Sequence, residues 1–242
     1  MKFIAIIPAR YASTRFPGKP LVKINEKLMV QHVYERVLSS GFFKKVIVAT
    51  DDDRIQSEVL NFGGEVIMTK SNHQSGTDRC GEAIEKLNES FDVVVNVQGD
   101  EPFIHYSQLE ELINVFKNTS AQIGTLKKEL IHTEDVLNPN VVKIVSDLSG
   151  KALYFSRNPI PYVRDSERSE WLNKQKYYKH IGLYGYRFNV LKELVRLKPS
   201  ELELSESLEQ LRWLENGYQI FAAETKYESL GIDTPEDLSK II

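Results

Sequence analysis

Three cations in one short loop near the N-terminus are the residues best suited to chemistry. Arg10, Arg15 and Lys19 are spaced among several small residues in the loop 8–20, which has no acidic side chain and follows the apolar run 3–7. Cations offset negative charge, and small residues let backbone N–H groups approach oxygen atoms. We therefore predict that this segment, the phosphate loop, binds a polyphosphate. The alternative is a surface loop whose basic side chains are merely solvated.

The phosphate loop matches neither common glycine motif for phosphate binding. The pattern G-x-x-x-x-G-K-[ST] requires a glycine where Ser13 stands and a hydroxyl residue where Pro20 stands. The dinucleotide pattern G-x-G-x-x-G occurs nowhere in the 242 residues. The sequence thus predicts a phosphate site outside both of these classes.

A second polar group follows the apolar run 93–97, which predicts a central strand. The segment 98–102 (QGDEP) places an amide and two carboxylates at the end of that strand. A carboxylate opposite a basic phosphate loop is the usual arrangement for holding Mg²⁺ between protein and nucleotide. Asp100 could instead cap the helix that includes 108–110, but Pro102 separates it from that helix and favours the metal.

Two further polar segments follow strands predicted in the same half of the chain. The loop 69–77 can offer backbone groups to the edge of a nucleotide base. The acidic run 51–53 could bind a metal, but acidic residues favour helix N-termini, so we interpret it as a cap. Cys80, in the next helix, is predicted to pack as a small apolar group.

These loops require a sheet whose strands end at one edge. Apolar runs predict strands at 3–7, 45–50, 65–68, 93–97, 123–126, 141–145, 151–156 and 180–187, with a hairpin turn at 146–150. Helical spacing predicts helices at 30–38, 53–62, 78–88 and, as one buried leucine stripe, 204–214. The polar segment 158–179 is predicted to be a flexible lid. The alternation indicates an α/β fold with a mostly parallel central sheet.

Composition narrows the class of partner. With 242 residues, 41% of them hydrophobic, the chain can bury its core as one domain spanning 1–242. A net charge of −3 provides no basic field for nucleic acid or anionic membranes. The single cysteine suits a reducing cytoplasm, and no apolar run is long enough for a signal-peptide core or a membrane span. We expect a cytoplasmic protein with small-molecule ligands.

Several sequence blocks together resemble the 3-deoxy-D-manno-octulosonate cytidylyltransferases, or CMP-Kdo synthetases, over essentially the whole chain. These blocks are PARYASTR (8–15), PGKPL (17–21), HQSGT (73–77), VNVQGDEP (95–102), NPN (138–140), YFSR (154–157), HIG (180–182), YGYR (184–187), LEQLR (208–212) and DTPEDL (233–238). The chain departs from the family at 163–175, and Asn72 stands where an acidic residue is frequent. Neither departure touches the residues that would carry the chemistry.

The resemblance implies a fold and a reaction. The fold would be the Rossmann-like nucleotide-diphospho-sugar transferase fold with a smaller subdomain, in which roughly 128–190 contribute to dimerisation and to the sugar side. The reaction would move CMP from CTP to the anomeric hydroxyl of 3-deoxy-D-manno-octulosonate (Kdo), releasing pyrophosphate, for lipopolysaccharide synthesis. The family also implies Mg²⁺ as cofactor and a homodimer. Phosphoryl transfer needs mainly positioning and charge stabilisation, and a metal can lower the pKa of the sugar hydroxyl.

The resemblance also assigns roles by motif. Nucleotide-binding residues would be Pro8, Ala9, Arg10, Arg15, Lys19, Ser75, Gly76 and Gln98; the catalytic ones among the site residues would be Arg10, Arg15, Lys19 and Asp100. Mg²⁺ would be held by Asp100 and Asp233. The sugar acid would be bound by Gln98, Arg157, His180, Tyr184, Glu209 and Gln210. Without the resemblance, His180 would be interpreted as a structural histidine and Glu209 as a solvated helix residue.

Two rival functions remain at this point. An acylneuraminate cytidylyltransferase would share the fold and reaction, but its first arginine is followed by Gly-Ser where this chain has Ala12-Ser13. A non-catalytic nucleotide-binding module would have less need of two metal carboxylates, and the pair Asp100 and Asp233 argues against it.

Overall fold

The computed structural model describes residues 1–12, 16–228, 231–232 and 234–239, with Ser239 described by its backbone alone. The chain divides into two compact units. Unit 1 comprises Met1–Glu110, Gly185–Val195 and Ser229–Ile242, and unit 2 comprises Glu111–Tyr184 and Arg196–Glu228. A single functional domain over 1–242, with 128–190 serving dimerisation and the sugar side, stays a prediction.

Strands and helices alternate through most of the described chain. The strands are β1 (Phe3–Pro8), β2 (Lys23–Ile24), β3 (Lys27–Leu28), β4 (Lys45–Thr50), β5 (Val66–Met68), β6 (Val93–Asn96), β7 (Ile123–Leu130), β8 (Lys143–Ser146), β9 (Ala152–Ser156), β10 (Tyr177–Arg187) and β11 (Ile220–Glu224). The α-helices are α1 (Met29–Ser39), α2 (Asp53–Asn61), α3 (Gly76–Glu85), α4 (Tyr106–Asn118), α5 (Thr133–Leu137), α6 (Trp171–Lys174), α7 (Phe188–Leu194), α8 (Glu201–Glu206), α9 (Glu209–Glu215) and α10 (Pro235–Ser239). Short 3₁₀ helices occupy Lys19–Leu21 and Arg168–Glu170. No helix in the described ranges is long and apolar enough to cross a membrane.

Unit 1 is built on four parallel strands in the order β6-β1-β4-β5. Strand β1 lies at the centre, with Ile6 between Ile47 on one neighbour and Asn96 on the other. Its residues Ile4 to Ile7 are fully buried, as expected for a strand covered on both faces. Because the strands are parallel, their carboxyl ends meet at one edge of the sheet. The prediction of a central strand buried on both faces, in a mostly parallel sheet, is confirmed.

Helix caps in unit 1 follow from local sequence. Asp52 caps α2 by accepting a hydrogen bond from the backbone N–H of Arg54, so the capping interpretation of 51–53 is confirmed. Helix α3 begins two residues earlier than predicted because Ser75 and Asp78 form a capping box. Cys80 is fully buried in this helix, as predicted.

Helix α3 approaches Val195, just after α7, through a glycine. A Cβ on Gly81 would lie 2.6 Å from Val195 Cγ1, a distance that real side chains do not tolerate. Gly81 therefore permits a close backbone approach that any side chain would prevent.

Unit 2 combines parallel and antiparallel pairing. Strand β11 pairs in parallel with β7, while β8 pairs antiparallel with β9 and with β10. The predicted hairpin is thus confirmed as β8–β9. Strand β11 was missed because its sequence, IFAAE, is short and carries few β-branched residues.

The prediction of one helix over 204–214 is wrong. Ser207 adopts φ 51°, in the left-handed region, and separates α8 from α9. The break turns Leu204 outward, where 68% of it is exposed, while Leu208 and Leu211 remain buried. The leucine spacing continues across the break between α8 and α9, so the periodicity of the sequence does not reveal that break.

The segment 158–179 contains structure that the sequence analysis missed. Helix α6 begins at Trp171, which is buried and packs with Leu130, Val136 and Tyr177. The indole of Trp171 stacks on the ring of Tyr177 with centroids 6.1 Å apart. The prediction of a flexible lid is wrong for this part of the segment.

Candidate active site

A pocket in unit 1 opens at the carboxyl ends of the parallel strands. Its lining consists of Pro8, Ala9, Arg10, Lys19, Pro20, His73, Gln74, Ser75, Gly76, Arg79, Gln98, Gly99 and Asp100. The phosphate loop, the loop after β5 and the loop after β6 therefore meet here. The pocket gathers eight of the predicted site residues: Pro8, Ala9, Arg10, Lys19, Ser75, Gly76, Gln98 and Asp100. Arg15 lies outside the described residues, and its role stays a prediction.

The phosphate loop is closed at its base. The backbone N–H of Gly18 donates to the carbonyl of Tyr11 at 2.9 Å, and Gly18 has φ 73°, which favours glycine. The guanidinium of Arg54 lies 3.3 Å from the centre of the Tyr11 ring. Asp52 holds that guanidinium through two hydrogen bonds of 2.9 and 2.6 Å. Asp52 and Arg54, at the N-terminus of α2, thus fix the position of Tyr11, and Tyr11 in turn holds Gly18 at the other end of the loop.

Lys19 and Asp100 are joined by an ion pair within the pocket. The Lys19 Nζ donates to Asp100 Oδ2 at 2.6 Å, and their side chains are 14% and 31% exposed. Partial burial strengthens such a pair relative to one on the open surface. The cation of the phosphate loop and the carboxylate after β6 therefore share one site.

Asp100 has the chemistry of a magnesium ligand. Its carboxylate is a hard oxygen donor that lines a pocket rich in cations, and Mg²⁺ commonly takes one or two carboxylates plus substrate phosphates. Among the described side chains, no three of His, Cys, Asp and Glu come together to form a metal site on their own. A Mg²⁺ ion at Asp100 stays a prediction. The backbone N–H of Ile232 donates to the Asp100 carbonyl at 3.0 Å; Asp233, next in the chain, lies outside the described residues.

Glycines let the loops approach one another. A Cβ on Gly99 would lie 2.7 Å from the carbonyl oxygen of Pro8, so a side chain here would force the two strand ends apart. Gly76 stands at the start of α3, and a Cβ there would contact Pro8 and Asn96 at 3.4 and 3.5 Å. The width of the pocket between β1 and its neighbours therefore depends on Gly99 in particular.

His73 and Arg79 line the pocket but were not among the predicted site residues. Arg79 is 3% exposed and pairs with Asp51 at 3.1 Å. Burial lowers the pKa of Arg79, and the Asp51 carboxylate opposes that shift. No signal in the sequence indicated Arg79, because its burial depends on the partner Asp51 from another part of the chain.

In unit 2, His180 belongs to a cluster of aromatic rings. It lies 5.2 Å from Phe155 and 5.1 Å from Tyr184, and Tyr184 packs edge-on against Trp213. Burial lowers the pKa of His180 to about 3, so the imidazole is neutral at physiological pH. Its Nε2 lies 3.0 Å from Thr125 Oγ1. Burial, followed by the nearby charge of Glu209, raises the pKa of Tyr184 well above its usual value.

Arg157 in unit 2 is engaged by backbone carbonyls. Its Nε, Nη1 and Nη2 donate to the carbonyls of Glu206, Pro139 and Ser207 at 2.6, 3.1 and 3.3 Å. Two of these acceptors lie at the end of α8, where carbonyls lack helical partners. Arg157 thus caps α8 whatever else it binds.

Glu209 and Gln210 begin helix α9. The carboxylate of Glu209 accepts a hydrogen bond from Arg212 at 3.2 Å, and Gln210 is 5% exposed. Arg212 also donates to Glu203 at 2.9 Å, which ties α9 to α8. Glu209 is therefore more than the solvated helix residue that its sequence alone suggested.

Taken together, these features define a class of protein. Cations and a carboxylate at the carboxyl edge of a parallel α/β sheet, beside a capped helix N-terminus, are typical of nucleotide-binding enzymes. The class is that of nucleotide-dependent transferases.

The comparisons with known proteins specify the family. The sequence profile of the cytidylyltransferase family matches residues 4–239. A relative from Parabacteroides distasonis is 54% identical over 246 residues, covering 100% of this chain and 97% of the relative. One from Phocaeicola vulgatus is 55% identical over 243 residues, covering 99% and 96%. Both are named 3-deoxy-manno-octulosonate cytidylyltransferase. This chain therefore belongs to the cytidylyltransferase family, among the 3-deoxy-manno-octulosonate cytidylyltransferases.

Solved structures agree with this assignment. A CMP:2-keto-3-deoxy-manno-octonic acid synthetase complexed with CTP matches with a TM-score of 0.92 and 42% identity, covering 100% of this chain and 97% of that one. The 4-diphosphocytidyl-2C-methyl-D-erythritol synthase of Anaerococcus prevotii matches with a TM-score of 0.63 and 14% identity, covering 99% and 96%, and shows the fold alone. The predicted resemblance and fold are confirmed.

Proposed function

We propose that this chain transfers CMP from CTP to the anomeric hydroxyl of Kdo, giving CMP-Kdo and pyrophosphate. The observation that carries the proposal is the Lys19–Asp100 pair at 2.6 Å in a pocket lined by strand ends. The pair supplies one cation for phosphate and one carboxylate for a metal. The 42% identity to a synthetase complexed with CTP supports CTP as the nucleotide, and the names of the relatives support Kdo.

In the proposed reaction the anomeric oxygen of Kdo attacks the α-phosphorus of CTP. The new P–O bond forms as the bond from the α-phosphorus to the oxygen bridging the β-phosphorus breaks, and pyrophosphate leaves with that electron pair. The attacking hydroxyl loses its proton to solvent water. Such a transfer needs in-line positioning and stabilisation of charge more than covalent help. Arg10, Arg15 and Lys19 would bind the triphosphate and offset the charge that develops on the leaving group.

We assign Mg²⁺ to Asp100 together with Asp233. When bound, this ion would neutralise phosphate charge and lower the pKa of the sugar hydroxyl. One carboxylate oxygen of Asp100 lies beside Lys19 Nζ, so the two opposite charges compensate each other in the pocket.

The Kdo acid is assigned to the unit 2 residues. Arg157 has five N–H donors and uses three on carbonyls of the described chain, which leaves two for a carboxylate. His180 is neutral and would bind hydroxyl groups and not the carboxylate. Tyr184, Glu209 and Gln210 would complete the recognition of hydroxyls.

Assembly and location are inferred from the family. We infer a cytoplasmic homodimer, with part of 128–190 in the interface, that serves lipopolysaccharide synthesis. Light scattering coupled to gel filtration tests the dimer, and a mass near 27.8 kDa, that of one chain, would contradict it.

The activity is tested by pyrophosphate release. The purified chain with Mg²⁺ and CTP should release pyrophosphate with Kdo, but not with sialic acid or without sugar. Release with sialic acid alone would indicate an acylneuraminate enzyme. Tight CTP binding without release in any mixture would indicate a non-catalytic module.

A further inference from the structure

Hydrogen bonds to residues on one face of α3 hold the loop that follows β5. The backbone N–H of Lys70 donates to Glu82 Oε2 at 2.9 Å, and the Lys70 carbonyl accepts from Arg79 Nη1 at 3.4 Å. Arg79 Nη1 also donates to Thr69 Oγ1 at 2.5 Å. An acid and a base one turn apart on α3 thus hold both polar groups of a single loop residue. This arrangement fixes the wall of the pocket that 69–75 form.

Glu82 also orients the ring of His73. His73 lines the pocket, and its Nε2 makes a short contact with Glu82 Oε2. Burial opposes ionisation of Glu82, but hydrogen bonds from Lys86, Lys70 and His73 outweigh it and lower the pKa of Glu82 to about 2. An ionised carboxylate only accepts hydrogen bonds, so Nε2 must carry the proton. When the ring carries this one proton only, Nδ1 is an acceptor.

The acceptor character of Nδ1 distinguishes His73 from the cations of the pocket, and Asp100, the carboxylate of the pocket, is already paired with Lys19. Arg10, Lys19 and Arg79 are donors only, and so are the backbone N–H groups at the start of α3. Donors bind phosphates and the 2-oxo group that cytosine and uracil share. They cannot favour cytosine at position 4, where cytosine carries an amino group and uracil an oxygen.

We propose that His73 selects cytosine over uracil by accepting a hydrogen bond from the 4-amino group of the base, with Glu82 as its positioning residue. This inference rests on the proposed function, because it names which feature of CTP the pocket recognises. UTP would place an oxygen against Nδ1, and two acceptors facing each other leave both unpaired. A site built to hydrogen-bond a ligand group rejects analogues that lack it far more strongly than a merely apolar site does.

The test compares three nucleotides. Specificity, as kcat/KM with Kdo, is measured for CTP, UTP and the triphosphate of 2-pyrimidinone riboside, which has hydrogen at position 4. The wild-type chain should prefer CTP over both others. His73→Ala should reduce the CTP-to-UTP ratio by about 10- to 100-fold, the size expected when one such hydrogen bond is lost. The variant should also use CTP and the pyrimidinone nucleotide almost equally.

Two further variants separate selection from folding. Glu82→Gln should reduce the CTP-to-UTP ratio in the same direction but less, because the ring is present but no longer held in one tautomer. His73→Gln keeps an acceptor and should retain more of the ratio than His73→Ala. The matched control is Asn72→Ala, an exposed residue of the same loop outside the pocket lining, which should leave the ratio unchanged.

The outcomes distinguish this inference from the proposed function. If the wild-type chain makes CMP-Kdo and His73→Ala keeps the wild-type ratio, the role of His73 is refuted while the function stands. An equal loss of ratio in Asn72→Ala would also refute it, because a general disturbance of the loop would explain both. If the wild-type chain makes no CMP-Kdo, the function fails. Calorimetric affinities for CTP and UTP, measured on the same variants, then decide on His73.

Discussion

Lys19 Nζ and Asp100 Oδ2 lie 2.6 Å apart, although 81 residues separate them along the chain. Each partner therefore has its charge compensated inside the pocket. In the proposed complex both would change partners together, Lys19 turning to phosphate and Asp100 to Mg²⁺. Nucleotide and metal binding should consequently be coupled, because neither charge can be left unpaired at low cost in a partly buried site.

Lys19→Ala should impair use of CTP without unfolding the chain. Losing a charged donor costs about 1.5–3 kcal/mol of interaction, or roughly 10- to 150-fold in kcat/KM for CTP. Steady-state kinetics measure this loss, and circular dichroism checks the fold. Lys23→Ala, at an exposed position on β2, is the matched control and should behave as wild type. Unchanged kinetics in Lys19→Ala would remove the phosphate loop from the mechanism.

Asp100→Asn should nearly abolish turnover. The substitution keeps the size of the side chain but removes the charge that the metal requires, so we expect a loss on the order of 100- to 1,000-fold. Magnesium titrations of activity measure it, and the half-saturating Mg²⁺ concentration should rise. The exposed Asp53 provides a control as Asp53→Asn.

Asp233→Asn should have a similar effect, and the double variant with Asp100→Asn should be no worse than the poorer single one, since both would serve one metal unit. Losses that multiply in the double variant would instead place Asp100 and Asp233 at independent sites.

His180 should make the fold sensitive to acid. Its pKa in the fold is about 3, against about 6.5 for an unfolded histidine, so between these values the unfolded chain binds more protons. Stability is therefore lost as pH falls through this window, by about 1–2 kcal/mol between pH 7 and 5. His180→Gln should show a correspondingly weaker pH dependence in urea unfolding. The exposed His132, as His132→Gln, should keep the wild-type dependence. Parallel curves for His180→Gln and wild type would mean that folding does not lower the pKa of His180.

Arg157→Ala should affect both stability and sugar binding. Removing three hydrogen bonds to carbonyls should cost about 1–3 kcal/mol and lower Tm by roughly 3–10 °C. The KM for Kdo should rise while the KM for CTP stays unchanged. Arg164→Ala is the control, because 88% of the Arg164 side chain is exposed. A raised KM for Kdo with an unchanged Tm would show that the bonds to α8 contribute nothing to stability.

Structural features that depend on neighbouring residues were the most predictable from the sequence. Strand β1 was predictable because five consecutive apolar residues at 3–7 have few alternatives, and the cap at Asp52 because it depends on two neighbouring residues. The three pocket loops could be anticipated because parallel strands end together.

Features that depend on distant partners could not be predicted. The break at Ser207 rests on one backbone angle, and the neutral state of His180 on its burial beside Phe155 of β9 and Tyr184 of its own strand. Arg79 and Glu82 resemble ordinary surface charges of a helix until the loop that they hold is placed beside them. In each case the sequence names the residue, but its environment is assembled only by the fold.

Gly81 lies between Arg79 and Glu82, at the point where α3 touches Val195. Arg79 and Glu82, which hold the loop at Lys70, therefore belong to a helix that packs close to Val195 only because Gly81 has no side chain. A methyl group at Gly81 would lift α3 away from Val195 and displace His73 with it. A substitution at Gly81, in the packing between two helices, would then reduce the selectivity for the nucleotide as well as the stability of the fold.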